Sequence, residues 1–161
     1  DGNIYATENG RDLLGNDIPP DEINILKQGE NYGWPICYGN KIHDSTFDKN
    51  IYIRDPCADT KAPFMELDPH VAPLGFAFYE GTKFPEEYRG DMFIAYHGSW
   101  NRTPPSGYKI ATVDLKTKKV RDFATGWLGE GTVRGRPVDI INFRDDLLVS
   151  DDNMGKIYRI Y

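Results

Sequence analysis

Short runs of alternating apolar and polar residues are spread along the chain, and β-branched or aromatic residues dominate them. Alternation with a period of two is typical of half-buried β-strands, and no segment shows sustained helical periodicity. Gly, Pro, Asn and Asp fill the connections, which favours an all-β fold of antiparallel meanders. The pattern predicts strands at 4–7, 22–26, 75–79, 92–96, 109–114, 138–141, 147–150 and 156–161.

One sequence pattern occurs three times, at 1–8, 90–97 and 145–152. Each copy places a turn pair before a short apolar run that ends in small and polar residues, as expected for a strand that opens onto a polar centre. Repetition at roughly 50 residues is typical of β-propeller blades, and closed propellers generally need at least four. The sequence therefore predicts a partial β-propeller domain over 1–161, with about three blades built from antiparallel four-stranded sheets.

Composition excludes some classes of function. The formal net charge is -6 and the pI is about 5.0, which opposes general nucleic-acid binding because phosphate recognition relies on basic surfaces. No apolar run approaches the roughly 20 residues of a membrane span. The first residue starts a repeat unit and no signal segment is present, so we expect upstream sequence, including any export signal, to have been removed.

Cys37 and Cys57 lie in the least regular stretch of the chain, 36–62. A disulfide fits this spacing and is expected to stabilise the fold by about 3 kcal/mol in the chain-entropy model. The alternative is a pair of free thiols. Zinc is disfavoured because neither a CxxC pair nor a nearby His completes a ligand set.

Two groups of residues suggest ligand binding. Asp21 and Glu22, near the flexible Asn9-Gly10 turn, offer oxygen atoms of the kind that calcium prefers, although two acids beside a strand can equally be a solvated edge. Arg134 and Arg136 are two residues apart, and alternation would place both on one face as an anion site. The alternative is a pair of exposed arginines on an acidic surface.

The three histidines are His43, His70 and His97. We expect no catalytic role for His43, which lies in the irregular stretch. His70 and His97 adjoin predicted strands and could line a central opening, but a structural role is the alternative for each. No Ser-His-Asp or Cys-His arrangement follows from the spacing.

Several motifs occur in order along the chain: Glu8-Asn9-Gly10, Asp21-Glu22-Ile23-Asn24, Asn31-Tyr32-Gly33-Trp34-Pro35, His70-Val71-Ala72-Pro73, Gly135-Arg136-Pro137-Val138-Asp139 and Ser150-Asp151-Asp152. Taken together, they resemble the soluble quinoprotein glucose and sorbosone dehydrogenase family, and the residues 97–102 most resemble its aldose sugar dehydrogenase branch. The resemblance implies the C-terminal half of a six-bladed β-propeller, from a periplasmic or secreted protein.

The resemblance also implies a cofactor, pyrroloquinoline quinone (PQQ), which is a flat ortho-quinone with three carboxylates. Arg134 and Arg136 match the family's paired carboxylate-binding arginines. The family's lysine contact has no match here, and Arg102 is its expected substitute.

Calcium follows from the same resemblance. The main-chain carbonyls of Gly10 and Arg11 match its ligands beside the quinone, although the family often has proline at the position of Arg11. Glu22 and Tyr32 match positions that hold a second, structural calcium in some members. His70 falls beside the cofactor pocket, where it would line the substrate entrance.

The family's catalytic histidine has no match in this chain and is expected upstream. We therefore expect little or no dehydrogenase activity from this segment alone, and oxidation of aldoses, with an external electron acceptor, by the parent polypeptide. The alternative function is a non-enzymatic propeller that recognises protein or carbohydrate; a calcium-dependent lactone hydrolase fits the paired arginines poorly. A free strand edge would favour a homodimer or association with the rest of the propeller.

Overall fold

The computed structural model describes residues 2–161; Asp1, the first residue of the first repeat, lies outside them. One 3-10 turn, Glu86–Tyr88, accompanies the strands. In these residues no helix has the length and apolar character needed to cross a bilayer. The strands are β1 (Ile4–Glu8), β2 (Asp21–Leu26), β3 (Cys37–Tyr38), β4 (Ile42–His43), β5 (Met65–Leu67), β6 (Pro73–Phe78), β7 (Met92–Tyr96), β8 (Lys109–Asp114), β9 (Lys119–Ala124), β10 (Leu128–Gly129), β11 (Thr132–Val133), β12 (Pro137–Phe143), β13 (Asp146–Asp151) and β14 (Lys156–Ile160).

The strands form three main sheets and two short ribbons, and every pairing is antiparallel. The main sheets have the orders β1-β2-β5, β6-β7-β8-β9 and β12-β13-β14, while β3-β4 and β10-β11 are the ribbons. Strand β1 contacts β6, and β12 contacts β6 and β7, so the sheets pack in chain order with the four-stranded sheet between the others.

Strand β7 is buried on both faces, which explains its unbroken apolar sequence. Along the strand, side chains point alternately to the two faces of the sheet. Met92, Ile94 and Tyr96 enter the core shared with the first sheet, and Phe93 and Ala95 enter the core shared with the third. All five are at most 2% exposed. Burial of a large apolar side chain contributes about 1.5–3 kcal/mol, so both neighbouring sheets depend on this strand.

The sequence prediction of an all-β, antiparallel fold is confirmed. The prediction of four-stranded sheets throughout is wrong, because only the middle sheet has four strands within residues 2–161. After β5 the chain passes through 68–72 directly into β6 of the next sheet, so the first sheet gains no further strand there. Strand β9 was missed because its sequence, Lys-Val-Arg-Asp-Phe-Ala, lacks a clear apolar alternation.

The irregular stretch between β2 and β5 is closed by the predicted disulfide. Cys37 and Cys57 are bonded, their Cα atoms are 5.9 Å apart, and both side chains are buried. The ribbon β3-β4 lies inside this loop. Few apolar contacts hold its outer part, where Ile51 and Ile53 are fully exposed. The covalent link, together with polar contacts such as that between Tyr52 and Asp48, therefore holds the loop.

We expect that Cys37→Ser combined with Cys57→Ser lowers the free energy of unfolding by about 3 kcal/mol, because the unfolded chain regains loop entropy. For a domain of this size the midpoint of thermal unfolding should fall by roughly 6–12 °C. Circular dichroism melts measure the change. Reductant should lower the midpoint of the wild type but leave the double variant unchanged, and equal midpoints for both proteins without reductant would contradict the expectation.

Candidate functional site

The ends of the repeat strands meet at one cavity of about 240 Å³, here called the site cavity. Asn9 and Gly10 follow β1, and the segment from His97 onward follows β7. Asp152, which follows β13, contacts His97. Each repeat thus delivers polar groups to one place, as its pattern predicted. The lining residues are Asn9, Gly10, Asp12, Asp21, His70, Ala72, His97, Gly98, Ser99, Trp100, Asn101 and Arg136.

Gly10 lies at a tight approach of two chain segments. A Cβ at this position would come within 2.6 Å of Pro19 Cγ and 2.7 Å of the Pro20 carbonyl oxygen, so only glycine fits. The Gly10 amide donates to Asp21 Oδ1 at 2.8 Å. The carbonyl groups of Gly10 and Arg11 accept no hydrogen bond from the described residues. This turn is therefore fixed in place while its carbonyl oxygens stay available.

Asp21 joins two walls of the site cavity. Its side chain is 1% exposed, and while Oδ1 accepts from Gly10, Oδ2 accepts from the Ala72 amide at 2.8 Å. Burial raises the pKa of Asp21 to about 6, and the backbone donors oppose that rise because they stabilise the carboxylate. One buried carboxyl group thus positions the Gly10 turn against the segment that precedes β6.

His70 occupies that segment and lines the site cavity. It has a φ of +61°, and Ala72 has a φ of +52°, a left-handed conformation that is costly for residues with a Cβ. The ring nitrogen Nε2 lies 2.7 Å from the Gly15 carbonyl oxygen, and the residue is 5% exposed. Surrounding contacts therefore hold the imidazole in one orientation.

His97 links a carboxylate to a guanidinium. Its Nε2 is 3.0 Å from Asp152 Oδ1, and its Nδ1 is 3.4 Å from Arg136 NH1. Since a guanidinium only donates, Nδ1 accepts and Nε2 carries the proton that is donated to Asp152. Both ring nitrogens are occupied, so in this arrangement His97 orients Arg136 and has no nitrogen left to accept a proton from a ligand.

The half-buried guanidinium of Arg136 donates only to neutral groups, while the main-chain amide of the same residue donates to Asp151 Oδ1 at 3.0 Å. The guanidinium donates to the Gly98 carbonyl at 2.9 Å and to the Tyr108 hydroxyl at 3.1 Å, and its central carbon lies 4.9 Å from the Tyr108 ring centroid. Among residues 2–161 it forms no salt bridge. A positive charge in this position lacks a counter-ion, which favours an anionic ligand.

The other predicted anion contact, Arg134, lies elsewhere. Its side chain is exposed and lies over Gly129, where a Cβ would approach its guanidinium carbon to 2.9 Å. The expectation that both arginines share one face depended on an extended strand, but residues 134–136 are irregular and Gly135 packs between Asp151 and Trp127. The structure therefore brings only Arg136 to the site cavity.

Arg102 and Arg11 also direct their side chains away from the site cavity. Arg102 donates to the carbonyls of Asn16 at 2.9 Å and Pro104 at 2.8 Å. Arg11 forms an ion pair with Asp44, and this hydrogen bond holds the pKa of Asp44 well below its usual range. Only the main chain of Arg11 can thus serve the predicted calcium position.

Glu22 and Tyr32 are not brought together through their side chains. Glu22 is buried and accepts from the Gly39 amide at 2.7 Å, whereas the Tyr32 hydroxyl donates to the Ile25 carbonyl at 2.7 Å, near the other end of β2. In the described part of the chain no group of three or more His, Cys, Asp or Glu side chains is arranged to hold a metal ion. Ligands for a second calcium would have to include main-chain groups.

Sequence reasoning missed Asp12, Trp100 and Asn101. Asp12 accepts from the Trp100 indole nitrogen at 3.2 Å and from Asn101 Nδ2 at 3.0 Å. The Trp100 ring is 69% exposed at the site cavity. Asp12 follows β1, and Trp100 and Asn101 follow β7. Because the repeat pattern already indicated that strand ends face a polar centre, this position could have identified all three as site residues.

Comparison with known proteins identifies the family of the chain. The family model described as TrAA12-like matches residues 1–160. The chain belongs to the TrAA12-like family. An uncharacterized protein of Borreliella burgdorferi is 45% identical over 98% of this chain and 43% of its own length. The PQQ-dependent pyranose dehydrogenase of Coprinopsis cinerea is 30% identical over 98% of this chain and 27% of its own length.

A solved structure from Trichoderma reesei, of Carbohydrate-Active Enzymes Family AA12, has a TM-score of 0.75 at 24% identity and covers 99% of this chain and 49% of that one. This likeness shows the fold. The chain spans less than half the length of the curated relatives named above. Membership of the TrAA12-like family confirms the resemblance to quinoprotein sugar dehydrogenases that the motifs indicated.

A pair of facing carboxyl groups near the site gives a test of its electrostatics. Glu8 and Glu22 are opposite each other on β1 and β2. Burial, followed by repulsion from Glu22, raises the pKa of Glu8 to about 7. Because this pKa is higher in the folded than in the unfolded chain, the folded state binds the proton more tightly, and stability falls as pH rises from about 4.5 past 7.

We expect Glu8→Gln to raise the thermal midpoint at pH 8 in the presence of a chelator, and to reduce the fall between pH 5 and pH 8. Each kcal/mol recovered corresponds to about 2–4 °C. Calorimetry measures the effect, and the exposed Glu130→Gln is the control, which should keep the wild-type profile. A lower midpoint for Glu8→Gln at pH 8 would show that the carboxylate stabilises the fold.

Proposed function

We propose that this chain is the cofactor-binding segment of a PQQ- and calcium-dependent sugar dehydrogenase of the aldose or sorbosone type. The observation that carries the proposal is Arg136, a half-buried guanidinium at the site cavity without an anionic partner in residues 2–161. A guanidinium binds carboxylates through two parallel hydrogen bonds. The pyranose dehydrogenase relative, described by its name as PQQ-dependent, supports the same assignment.

The Arg136 guanidinium and the Gly10 turn offer the kinds of group that a carboxylate and a calcium ion require, which supports the proposal. Arg136 would bind a carboxylate of the quinone, oriented by its bonds to Gly98, Tyr108 and His97. The carbonyl oxygens of Gly10 and Arg11 would bind calcium, a cation that takes oxygen ligands. Bound there, the quinone and calcium supply a hydride acceptor whose developing charge the cation stabilises. Arg134 and Arg102 have side chains directed elsewhere, so we assign them at most a minor part.

The remaining parts of the proposal concern the parent polypeptide. The three sheets would supply about half of a six-bladed propeller, and the catalytic base would come from another part of it. This segment alone should then have little or no activity. The parent would oxidise aldoses and pass electrons to an external acceptor. The buried disulfide supports a periplasmic or secreted location, because disulfides persist in oxidising compartments.

A second candidate is a recognition module for carbohydrate. The exposed Trp100 ring, fixed by Asp12 at the site cavity, favours it, because an indole offers a flat apolar surface with a polar edge. Such a module would bind sugar without taking up PQQ. The two candidates therefore differ in a single measurable property, which is quinone uptake.

Titration of the complete polypeptide with PQQ in the presence of calcium tests the assignment. We expect Arg136→Ala to weaken quinone binding roughly 30-fold, which corresponds to about 2 kcal/mol for a lost hydrogen bond between charged groups. The control is Arg134→Ala, an exposed arginine two residues away, for which we expect less than about a twofold change. Isothermal titration calorimetry measures both.

Three outcomes separate the candidates. Equal losses of quinone affinity in the two variants would show that Arg136 contributes no more to binding than the exposed Arg134. Wild-type affinity in Arg136→Ala would remove the cofactor assignment altogether. A wild-type protein that binds sugar but never takes up quinone would establish the recognition module instead.

A further inference from the structure

Two large aromatic side chains are exposed side by side at the disulfide-closed loop. Trp34, just before Cys37, is 56% exposed, and Phe47, inside the loop, is 53% exposed. Their ring centroids lie 5.3 Å apart, and the ring planes are inclined by 36°. These two residues are here called the aromatic pair. Adjacent exposed apolar side chains, unlike scattered ones, are typical of a binding surface.

A buried polar network holds the aromatic pair in place. Asp44 is 4% exposed, and its Oδ1 accepts from the Phe47 amide at 3.0 Å and from the Thr46 amide at 3.1 Å. The same carboxylate forms the ion pair with Arg11. Because these contacts fix the backbone that carries Phe47, the protein would lose little conformational entropy when a ligand binds there.

Three consecutive residues connect the aromatic pair with the site cavity. Gly10 and Asp12 line the cavity, and Arg11 lies between them in sequence. The Arg11 guanidinium carbon is 5.7 Å from the Phe47 ring centroid, while Asp12 accepts from the indole nitrogen of Trp100 at 3.2 Å. One short segment therefore contacts an exposed ring at the cavity and the aromatic pair beside it.

The polar edge of Trp34 separates one class of ligand from the others. Its indole N–H has no hydrogen-bond partner among residues 2–161, whereas that of Trp100 donates to Asp12. A pyranose can place its C–H face on the indole ring and accept from the N–H through an oxygen atom. A lipid chain or an apolar protein surface would bury that N–H without a partner, which is unfavourable. The aromatic pair thus fits sugar better than a purely apolar ligand.

We propose that the aromatic pair is a second carbohydrate subsite, which binds the units of an oligosaccharide that lie beyond the unit in the site cavity. The inference rests on the proposed function for the sugar class of the ligand. It deepens that function by naming the substrate as a sugar chain in preference to a free aldose. The reducing end of the chain would occupy the cavity, because only that end is an aldose.

The first test is isothermal titration calorimetry of the complete polypeptide without quinone. The probes are cellotetraose, maltotetraose and xylotetraose, each compared with its monosaccharide, D-glucose or D-xylose. We expect one or more of the tetrasaccharides to bind at least about tenfold more tightly than its monosaccharide. Trp34→Ala should remove this gain and leave the affinity for the monosaccharide unchanged. Because Trp34 is exposed, the variant should keep the wild-type circular dichroism spectrum and thermal midpoint.

The matched control for Trp34→Ala is Ile53→Ala, which removes a fully exposed apolar side chain from the same loop but no ring. This control should keep the wild-type gain with chain length. Equal affinity of the wild type for tetrasaccharide and monosaccharide, no tetrasaccharide binding, or a gain that persists in Trp34→Ala would overturn the inference. Retention on phosphatidylcholine vesicles that both variants abolish would identify a lipid surface as the occupant instead.

The second test is steady-state kinetics of the quinone-loaded protein with the same sugars. Since the aromatic pair contacts units that do not react, Trp34→Ala should raise KM for the preferred tetrasaccharide about tenfold, with kcat and the monosaccharide KM little changed. An equal rise of KM for the monosaccharide would show that Trp34 acts on the cavity itself and would contradict a separate subsite.

The two proposals fail separately. If the wild type takes up no quinone, the dehydrogenase proposal fails, and the titrations without quinone still decide whether the aromatic pair binds sugar chains. If quinone binds and aldoses are oxidised without any dependence on chain length, the subsite fails and the cofactor assignment stands.

Discussion

Burial of both faces of β7 is the constraint on which the rest of the structure depends. A strand with apolar side chains on both faces must be covered twice, once through Ile94 and its neighbours and once through Phe93 and Ala95. Consecutive sheets therefore pack on either side of it and bring corresponding strand ends close together. The site cavity follows from this packing, because His97 at the end of β7 meets Asp152 from one neighbouring sheet and lines a common wall with Gly10 from the other.

The charges of the site cavity are balanced by different means. Asp21 is a buried carboxyl group that accepts hydrogen bonds from the Gly10 and Ala72 amides, and these bonds do not depend on a nearby cation. The guanidinium of Arg136 donates only to neutral groups and forms no ion pair within residues 2–161, so its charge remains available. In a low-dielectric setting an unpaired charge is costly unless a ligand compensates it. The same cavity thus holds a carboxyl group whose hydrogen bonds fix the architecture, and a guanidinium whose N–H groups are bonded but whose charge has no counter-ion within residues 2–161.

Much of the fold could be predicted from local pattern, and the positions of single side chains could not. Alternation located the buried strands, and the repeat indicated that their ends converge; the polar strand β9 escaped because its side chains lack that alternation. The disulfide followed from spacing and context. Arg134 and Arg136 look equivalent in sequence, because an extended strand would place both side chains on one face. Gly135 packs against Trp127 instead, and the stretch is not extended. Such packing between distant segments leaves no local signal.

The histidines show why chemistry at this cavity depends on hydrogen-bond partners more than on residue type. His97 is committed to orienting a guanidinium, which strengthens the cationic wall. His70 has a left-handed backbone, and its Nε2 faces the Gly15 carbonyl oxygen. The two histidines of the cavity thus serve different parts of the structure, because one orients a cation and the other fixes the segment that precedes β6.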